Sequence, residues 1–407
     1  MTTLQQVASQ ESPFQLTDEQ RDLRERARRF AVELVGPRAH EIDRTDQYPM
    51  DLARALAAEG FMGMILPEAY GGREATLFDV VLLVEEISKV SAIVGRIVVD
   101  ANTAVPGAIL HYGTEAQKRR YFPWILEGDK PAIAITEPEA GSAASELQTS
   151  ARLDGDGYVL NGTKRWISGG GVSRLYLVFA RFDNRPGPDG VGGLLVESTN
   201  PGLSIARVRK IMGVRGMPEA DVVLADCRVP RENLLVPAGG GFQKLMKAYN
   251  MQRLGAATVA LGVAQGAFDL SLAFAQERKQ FGRPIAEFQG LQWMLVDMHV
   301  QLEAARLLIY RAAANAGRGF PDTREAAVAK LVTAESAITI TNTAMQIHGA
   351  LGYSCDLPIE RMVRDARMYA IAGGTTHILR NVIASRLLPR EYSRGTGRDT
   401  GAERRPQ

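Results

Sequence analysis

One guanidinium lies inside an otherwise apolar run, Ala92-Ile93-Val94-Gly95-Arg96-Ile97-Val98-Val99. A buried charge without a partner is costly, so Arg96 must meet an anion. Two partners fit. Asp100 lies four residues on, one helical turn away. Alternatively, the planar fork of Arg96 holds the anionic end of a small ligand through two parallel bonds. Spacing alone weighs the two equally. Other reactive side chains are sparse. Cys227 and Cys355 have neither disulfide-framework nor metal-ligand spacing. The five histidines fall in no ligand motif and read as packing or surface residues, so no metal is expected.

The elements that position these groups follow from the pattern along the chain. At 407 residues, 45% of them hydrophobic, two or three packed domains are expected. Residues 15–130 read as helical. Thr17 with Gln20 and Thr114 with Gln117 have capping-box spacing, and 79–99 reads as one long buried helix. From about 131 the period shortens. Asn161-Gly162, between Tyr158-Val159-Leu160 and Lys164-Arg165-Trp166-Ile167, predicts a hairpin turn. Further apolar runs at 175–179, 193–196 and 221–224 complete a compact antiparallel β domain over 131–240. After Gly239-Gly240-Gly241, Ala-rich segments of helical period predict a four-helix bundle over 241–390. The fold class is therefore α+β, and the polar, Gly-rich tail at 391–407 reads as disordered. The formal charge of +2 offers no broad basic field for nucleic acid. No run reads as reaching the roughly 20 apolar residues of a membrane span, and the first residues lack the pattern of a secretory leader. A cytoplasmic enzyme without a membrane partner is expected.

Four segments in order carry a resemblance. They are Ala134-Ile135-Thr136-Glu137-Pro138-Glu139-Ala140-Gly141-Ser142, Asn161-Gly162-Thr163-Lys164-Arg165-Trp166-Ile167-Ser168, Arg278-Lys279-Gln280-Phe281-Gly282 with Phe288-Gln289, and Gln346-Ile347-His348-Gly349-Ala350-Leu351-Gly352-Tyr353. Over about 30–390 the chain resembles the acyl-CoA dehydrogenases. The resemblance implies bound FAD and an acyl-CoA thioester substrate. Ile135, Thr136, Trp166, Ile167 and Ser168 would line the isoalloxazine slot, and Ser142, Thr375 and His377 would join the cofactor contacts. Arg278 and the turn with Gln346, His348, Gly349 and Ala350 would reach the pyrophosphate, in this family from a neighbouring subunit, and Phe281 and Gln289 would be further cofactor contacts. A homotetramer is implied.

The departures from the family pattern are chemical. Ile371-Ala372-Gly373-Gly374-Thr375-Thr376 resembles the loop that carries the family's proton-abstracting Glu, but Gly373 occupies that place. Gln252 occupies the alternative base position. A general base contributes about 10²–10⁴ in rate, so with both places empty either the base has moved or the reaction does not begin with proton abstraction. Ala143 and Met217-Pro218-Glu219 also depart from the common residues. Arg96, Gly373, Gln252 and Ala143-Ala144-Ser145-Glu146 together resemble the 3-sulfinopropanoyl-CoA desulfinase branch. That branch implies C–S hydrolysis to propanoyl-CoA and sulfite without net flavin redox change. It makes Arg96, Gln252 and Gly373 the catalytic set: Arg96 on the sulfinate, Gln252 on substrate or water, and the Gly373 N–H on the thioester carbonyl. Ser142, Tyr249 and Arg253 would contact CoA. The alternative is a dehydrogenase of short or dicarboxylic acyl-CoAs with a relocated base.

Overall fold

The computed structural model describes residues 15–389; the predicted disordered tail lies outside them. The chain opens with α1 (Asp18–Phe30), whose Thr17–Gln20 capping box forms as expected. A π-helical turn, Ala31–Val35, joins it to α2 (Gly36–Thr45). After α3 (Met50–Ala58), the stretch expected as one helix is two, α4 (Leu77–Ser88) and α5 (Ala92–Asn102). The break has a local cause: Ser91 is extended and caps α5, its hydroxyl accepting from Val94 N. Thr103 then interrupts the path into α6 (Ala104–Tyr112), and α7 (Glu115–Leu126) starts on the predicted Thr114–Gln117 box.

The middle sheet contains β1 (Ala132–Ala134), β2 (Ser150–Asp154), β3 (Gly157–Ser168), β4 (Leu175–Phe182), β5 (Val191–Glu197), β6 (Leu203–Arg209), β7 (Glu219–Pro230) and β8 (Leu234–Val236). The strand order is β6-β7-β3-β2-β4-β5-β8, with β1 also on β4. Two expectations are corrected here. The sheet is mixed, because β1 and β2 run parallel to β4. Asn161-Gly162 lies inside β3 rather than at a turn. The β3–β7 register shifts there, Asn161 bonds across to Asp226, and a Cβ on Gly162 would collide with Thr149. Glycine thus serves a close strand crossing, not a reversal.

The third region is built from α8 (Gly241–Glu277), α9 (Gln289–Ala316) and α10 (Thr323–His348). After the short α11 (Ala350–Tyr353), the packing is completed by α12 (Ile359–Met368) and α13 (Thr376–Leu387). Small residues let α8 approach α4 and α5 closely. A Cβ on Gly255 or Gly262 would run into Val99 or Ser88. One continuous core therefore joins the first and third regions, with a second core within the sheet. Contrary to the sequence reading, two helical stretches, Ala92–Tyr112 and Gly241–Glu277, are long and apolar enough to cross a membrane by length and composition. Their most apolar windows are 89% and 61% buried inside the protein.

Candidate active site

Helix α5 delivers Arg96 to the start of β7 and the end of β3. Its Nη1 donates to Glu219 Oε1 at 3.1 Å, Nη2 donates to Ser168 Oγ, and Met368 Sδ lies 3.4 Å from Nη1. The Ser168 hydroxyl in turn donates its hydrogen bond to Glu219, with Oγ 2.7 and 2.9 Å from the two carboxylate oxygens. The side chains of Arg96 and Glu219 are only 11% and 7% exposed. Burial opposes the charge on Arg96, but Glu219 and Asp100 outweigh it and hold the guanidinium above its ordinary pKa. Burial pushes the Glu219 carboxyl up, against the pull of Arg96, Ser168 and Lys130. In the free chain Arg96 forms its ion pair with a different carboxylate from the one its spacing suggested. Its partner is not Asp100, and the guanidinium already has a protein carboxylate on it.

Asp100 has other partners. Its Oδ2 lies 2.8 Å from Lys130 Nζ, which also donates to the Ser168 carbonyl at 3.0 Å. Its Oδ1 accepts from Gln252 Nε2 at 2.6 Å, and Gln252 Oε1 accepts from the Thr103 hydroxyl. This network fixes the orientation of the Gln252 amide from both ends. The α5–α6 break at Thr103 is what brings that hydroxyl to it. Beside these groups, the buried Tyr369 Oη finds no hydrogen-bond partner among the described residues. A buried polar atom left alone signals a missing ligand or water.

The loop at Gly373 joins α12 to α13. Gly373 has φ +76°, a conformation that favours glycine. Its carbonyl accepts from Arg253 Nε at 3.2 Å, and the Gly374 carbonyl accepts from Lys330 Nζ at 2.7 Å. The Gly373 N–H finds no acceptor among the described residues. Two cations thus hold the loop by its carbonyls and leave this N–H available. Thr375 caps α13, accepting from Ile378 N at 3.2 Å, and His377 is exposed.

Arg253 is a strut more than a surface cation: it is buried, and Nη1 donates to Asn250 Oδ1 at 2.8 Å. It also lies over the Tyr249 ring, 5.5 Å from the centroid. Arg253 and Asn250 line a cleft of about 460 Å³ with Lys247, Phe320, Asp322 and Arg386. A larger groove of about 630 Å³, lined by Arg28, His40, Glu86, Asp269 and Arg361, contains none of the predicted site residues.

The remaining predicted residues fall into two groups. On β1–β3, Trp166 has φ +59° and is half exposed, with Arg209 over its ring at 4.7 Å. Ile135 is buried, its carbonyl taken by Lys164 Nζ; the Thr136 carbonyl accepts from Arg165 N. Ile167 is packed in the sheet core, while Ser142 is exposed. On the third region, Arg278, Phe281, Gln289, Gln346, Gly349 and Ala350 are all exposed. His348 is the exception to this exposure. The ring is buried, Nδ1 lies 2.8 Å from the Ala344 carbonyl, and it stacks on Phe274, 4.4 Å between centroids. That stack packs the 346–350 turn against the end of α8, where Arg278 emerges.

Three family models match in order: "Acyl-CoA dehydrogenase, N-terminal domain" over 17–129, "middle domain" over 132–227 and "C-terminal domain" over 239–388. The chain belongs to the acyl-CoA dehydrogenase family. A relative from Paraburkholderia xenovorans (strain LB400), named 3-sulfinopropanoyl-CoA desulfinase, is 54% identical over 93% of this chain and 98% of its own length. Butyryl-CoA dehydrogenase from Megasphaera elsdenii is similar in structure, with TM-score 0.90, 35% identity, and coverage of 93% of this chain and 100% of that one. The FAD complex of PigA matches at TM-score 0.88 and 26% identity, over 92% of this chain and 99% of the other.

Within this acyl-CoA dehydrogenase family member, sequence reasoning missed the buried neighbours of Arg96. Glu219 was visible only as a departure from the family pattern, in a strand whose burial makes a carboxylate there unusual. Lys130, Thr103, Lys330 and Tyr369 carried no local signal. Each matters through a contact remote in sequence.

Proposed function

We propose that this protein is a FAD-containing desulfinase that converts 3-sulfinopropanoyl-CoA and water to propanoyl-CoA and sulfite. One observation carries the reading. A nearly buried guanidinium stands beside Ser168, and along the sequence Gly373 and Gln252 leave both positions that resemble the family's base sites without an acid.

The residues of the FAD slot fit the cofactor. A half-exposed indole and a hydroxyl sit side by side on β3, and a Cβ on Gly141 or Gly349 would meet nothing within 4 Å. FAD, when bound, would supply a flat ring and a hydrogen-bond donor toward the acyl thioester. Arg96 takes the sulfinate through its fork. Gly373 N–H holds the thioester carbonyl. Gln252, fixed by Asp100 and Thr103, keeps one N–H and one lone pair to orient the attacking water; it does not deprotonate it. Ser168 donates its hydrogen bond to Glu219, which suits a flavin that is not reduced in turnover. Lys247, Arg253 and Arg386 give the cleft cations for the CoA phosphates, with Tyr249 and Ser142 among the CoA contacts.

The same proposal includes a cytoplasmic homotetramer. Trp293, Val296, Val300 and Leu307 form an exposed apolar stripe on α9 at helical spacing, suited to a neighbouring subunit. Incubation of the purified protein with 3-sulfinopropanoyl-CoA should release sulfite while the flavin spectrum stays oxidised; absence of sulfite would refute the assignment. A second reading, a dehydrogenase with a relocated base, is favoured only by Glu219, the buried carboxylate beside Ser168. Bleaching of the flavin by a dicarboxylic acyl-CoA under anaerobic conditions would support it instead.

A further inference from the structure

The Arg96–Glu219 pair raises a difficulty for any anionic substrate. A sulfinate reaching Arg96 meets a carboxylate already seated there, 3.1 Å from Nη1. Two anions on one nearly buried cation leave a surplus negative charge out of water, which is costly. The charged and titratable groups around it are fixed. Arg96 and Asp100 come from α5, Lys130 from the segment after α7, Tyr249 from α8 and Tyr369 from the end of α12. Lys130 is engaged by Asp100 and the Ser168 carbonyl. The surplus is therefore removed most cheaply by a proton on Glu219.

Resting on the desulfinase reading, we propose that Glu219 is the substrate's stand-in on Arg96 and the proton donor of the reaction. In the resting enzyme its carboxylate neutralises Arg96. When the sulfinate docks, Glu219 takes up one proton and yields the guanidinium. The unpartnered Tyr369 Oη, buried beside the pair, is available to the arriving anion.

The step balances without an external oxidant. The C3–S bond breaks with its electron pair passing to C3, which takes the proton from Glu219 and becomes the methyl group of propanoyl-CoA. Protonation accompanies cleavage, because a carbanion at C3 has no stabilising neighbour. Sulfur takes the oxygen of the water held by Gln252. One water proton stays with the hydrogen sulfite, and the other returns to Glu219. Carbon is reduced by two electrons and sulfur is oxidised by two. On release of sulfite the Glu219 carboxylate returns to Arg96 and gives up the proton taken at binding. Burial, which already pushes the Glu219 carboxyl up in the resting pair, favours this uptake.

The experiment uses the holoenzyme and succinyl-CoA, an anionic analogue with no C–S bond to break at its distal end. Calorimetry in buffers of different ionisation enthalpy should show that binding takes up about one proton in the wild type and none in Glu219→Gln, which should still bind it. Sulfite release from 3-sulfinopropanoyl-CoA should fall about 10²-fold or more in Glu219→Gln, the scale of a lost general acid. Three results would overturn the proposal: binding to the wild type without proton uptake, near-normal sulfite release by Glu219→Gln, or loss of succinyl-CoA binding in parallel with sulfite release, which marks a merely structural carboxylate. If the wild type itself releases no sulfite, the underlying desulfinase reading fails first, and this inference with it.

Discussion

The buried cluster around Arg96 and the exposed surface around Arg278 treat their charges in opposite ways. Around Arg96, Glu219, Ser168, Asp100, Lys130, Gln252 and Thr103 form a closed set of bonds within one chain. Around Arg278, the cation, the Phe281 ring, the Gln289 side chain and the turn at 346–350 stand open; Phe281 is 93% exposed. In the first region Arg96 is already paired before any ligand arrives, and a ligand must exchange with that partner. The second needs another molecule to give it a role. Small changes in the first should therefore leave an uncompensated charge, whereas changes in the second should be felt only in assembly and cofactor retention.

The largest effect is expected at Arg96. Arg96→Lys keeps the charge but loses the fork that bridges Ser168 and Glu219. Sulfite release should fall by about 10²–10⁴, the equivalent of about 3–5 kcal/mol, with FAD content preserved. Near-normal release would place the anion elsewhere. Next comes Asp100→Asn, which leaves Lys130 buried without its counter-ion and frees the Gln252 amide. A stability loss of about 3–5 kcal/mol in denaturant titration is expected; unchanged stability would show that the network is not closed as described.

Lys330 gives a pH test. Burial and the nearby Arg253 pull its amine down to about 7, against an ordinary 10.5. Between those values the native state binds fewer protons than the unfolded chain, so this group's contribution to stability rises with pH across that window and is smallest below pH 7. Melting temperature in the wild type should climb more steeply between pH 7 and 9 than in Lys330→Met; parallel slopes would contradict the assignment. The smallest effect on the isolated fold belongs to Phe281→Ser, within about 0.5 kcal/mol, as for other exposed positions. The same change should lower FAD retention and tetramer content in sedimentation. A large loss of monomer stability would contradict the contrast between the two regions.

Much of the fold was legible because its signals are local. The capping boxes at Thr17 and Thr114 formed where the spacing placed them. The misreadings also have local causes. Ser91 restarts a helix inside an apolar run, and Asn161-Gly162 marks a bulge that bonds across strands to Asp226 instead of a turn. Of the site, Arg96, Gln252 and Gly373 could be named because each breaks a pattern. Glu219 lies 123 positions from Arg96 and Lys330 lies 44 from Gly374, so neither pairing leaves a mark on the sequence around it.

The central claim is that the site hydrolyses a C–S bond while the flavin stays oxidised. A single anaerobic turnover of the FAD-loaded protein with 3-sulfinopropanoyl-CoA tests it directly, with sulfite, propanoyl-CoA and the flavin absorbance followed together. The account predicts sulfite and propanoyl-CoA in equal amounts with the oxidised flavin bands intact at the end. Loss of those bands with an unsaturated acyl-CoA as product, and no sulfite, would contradict it.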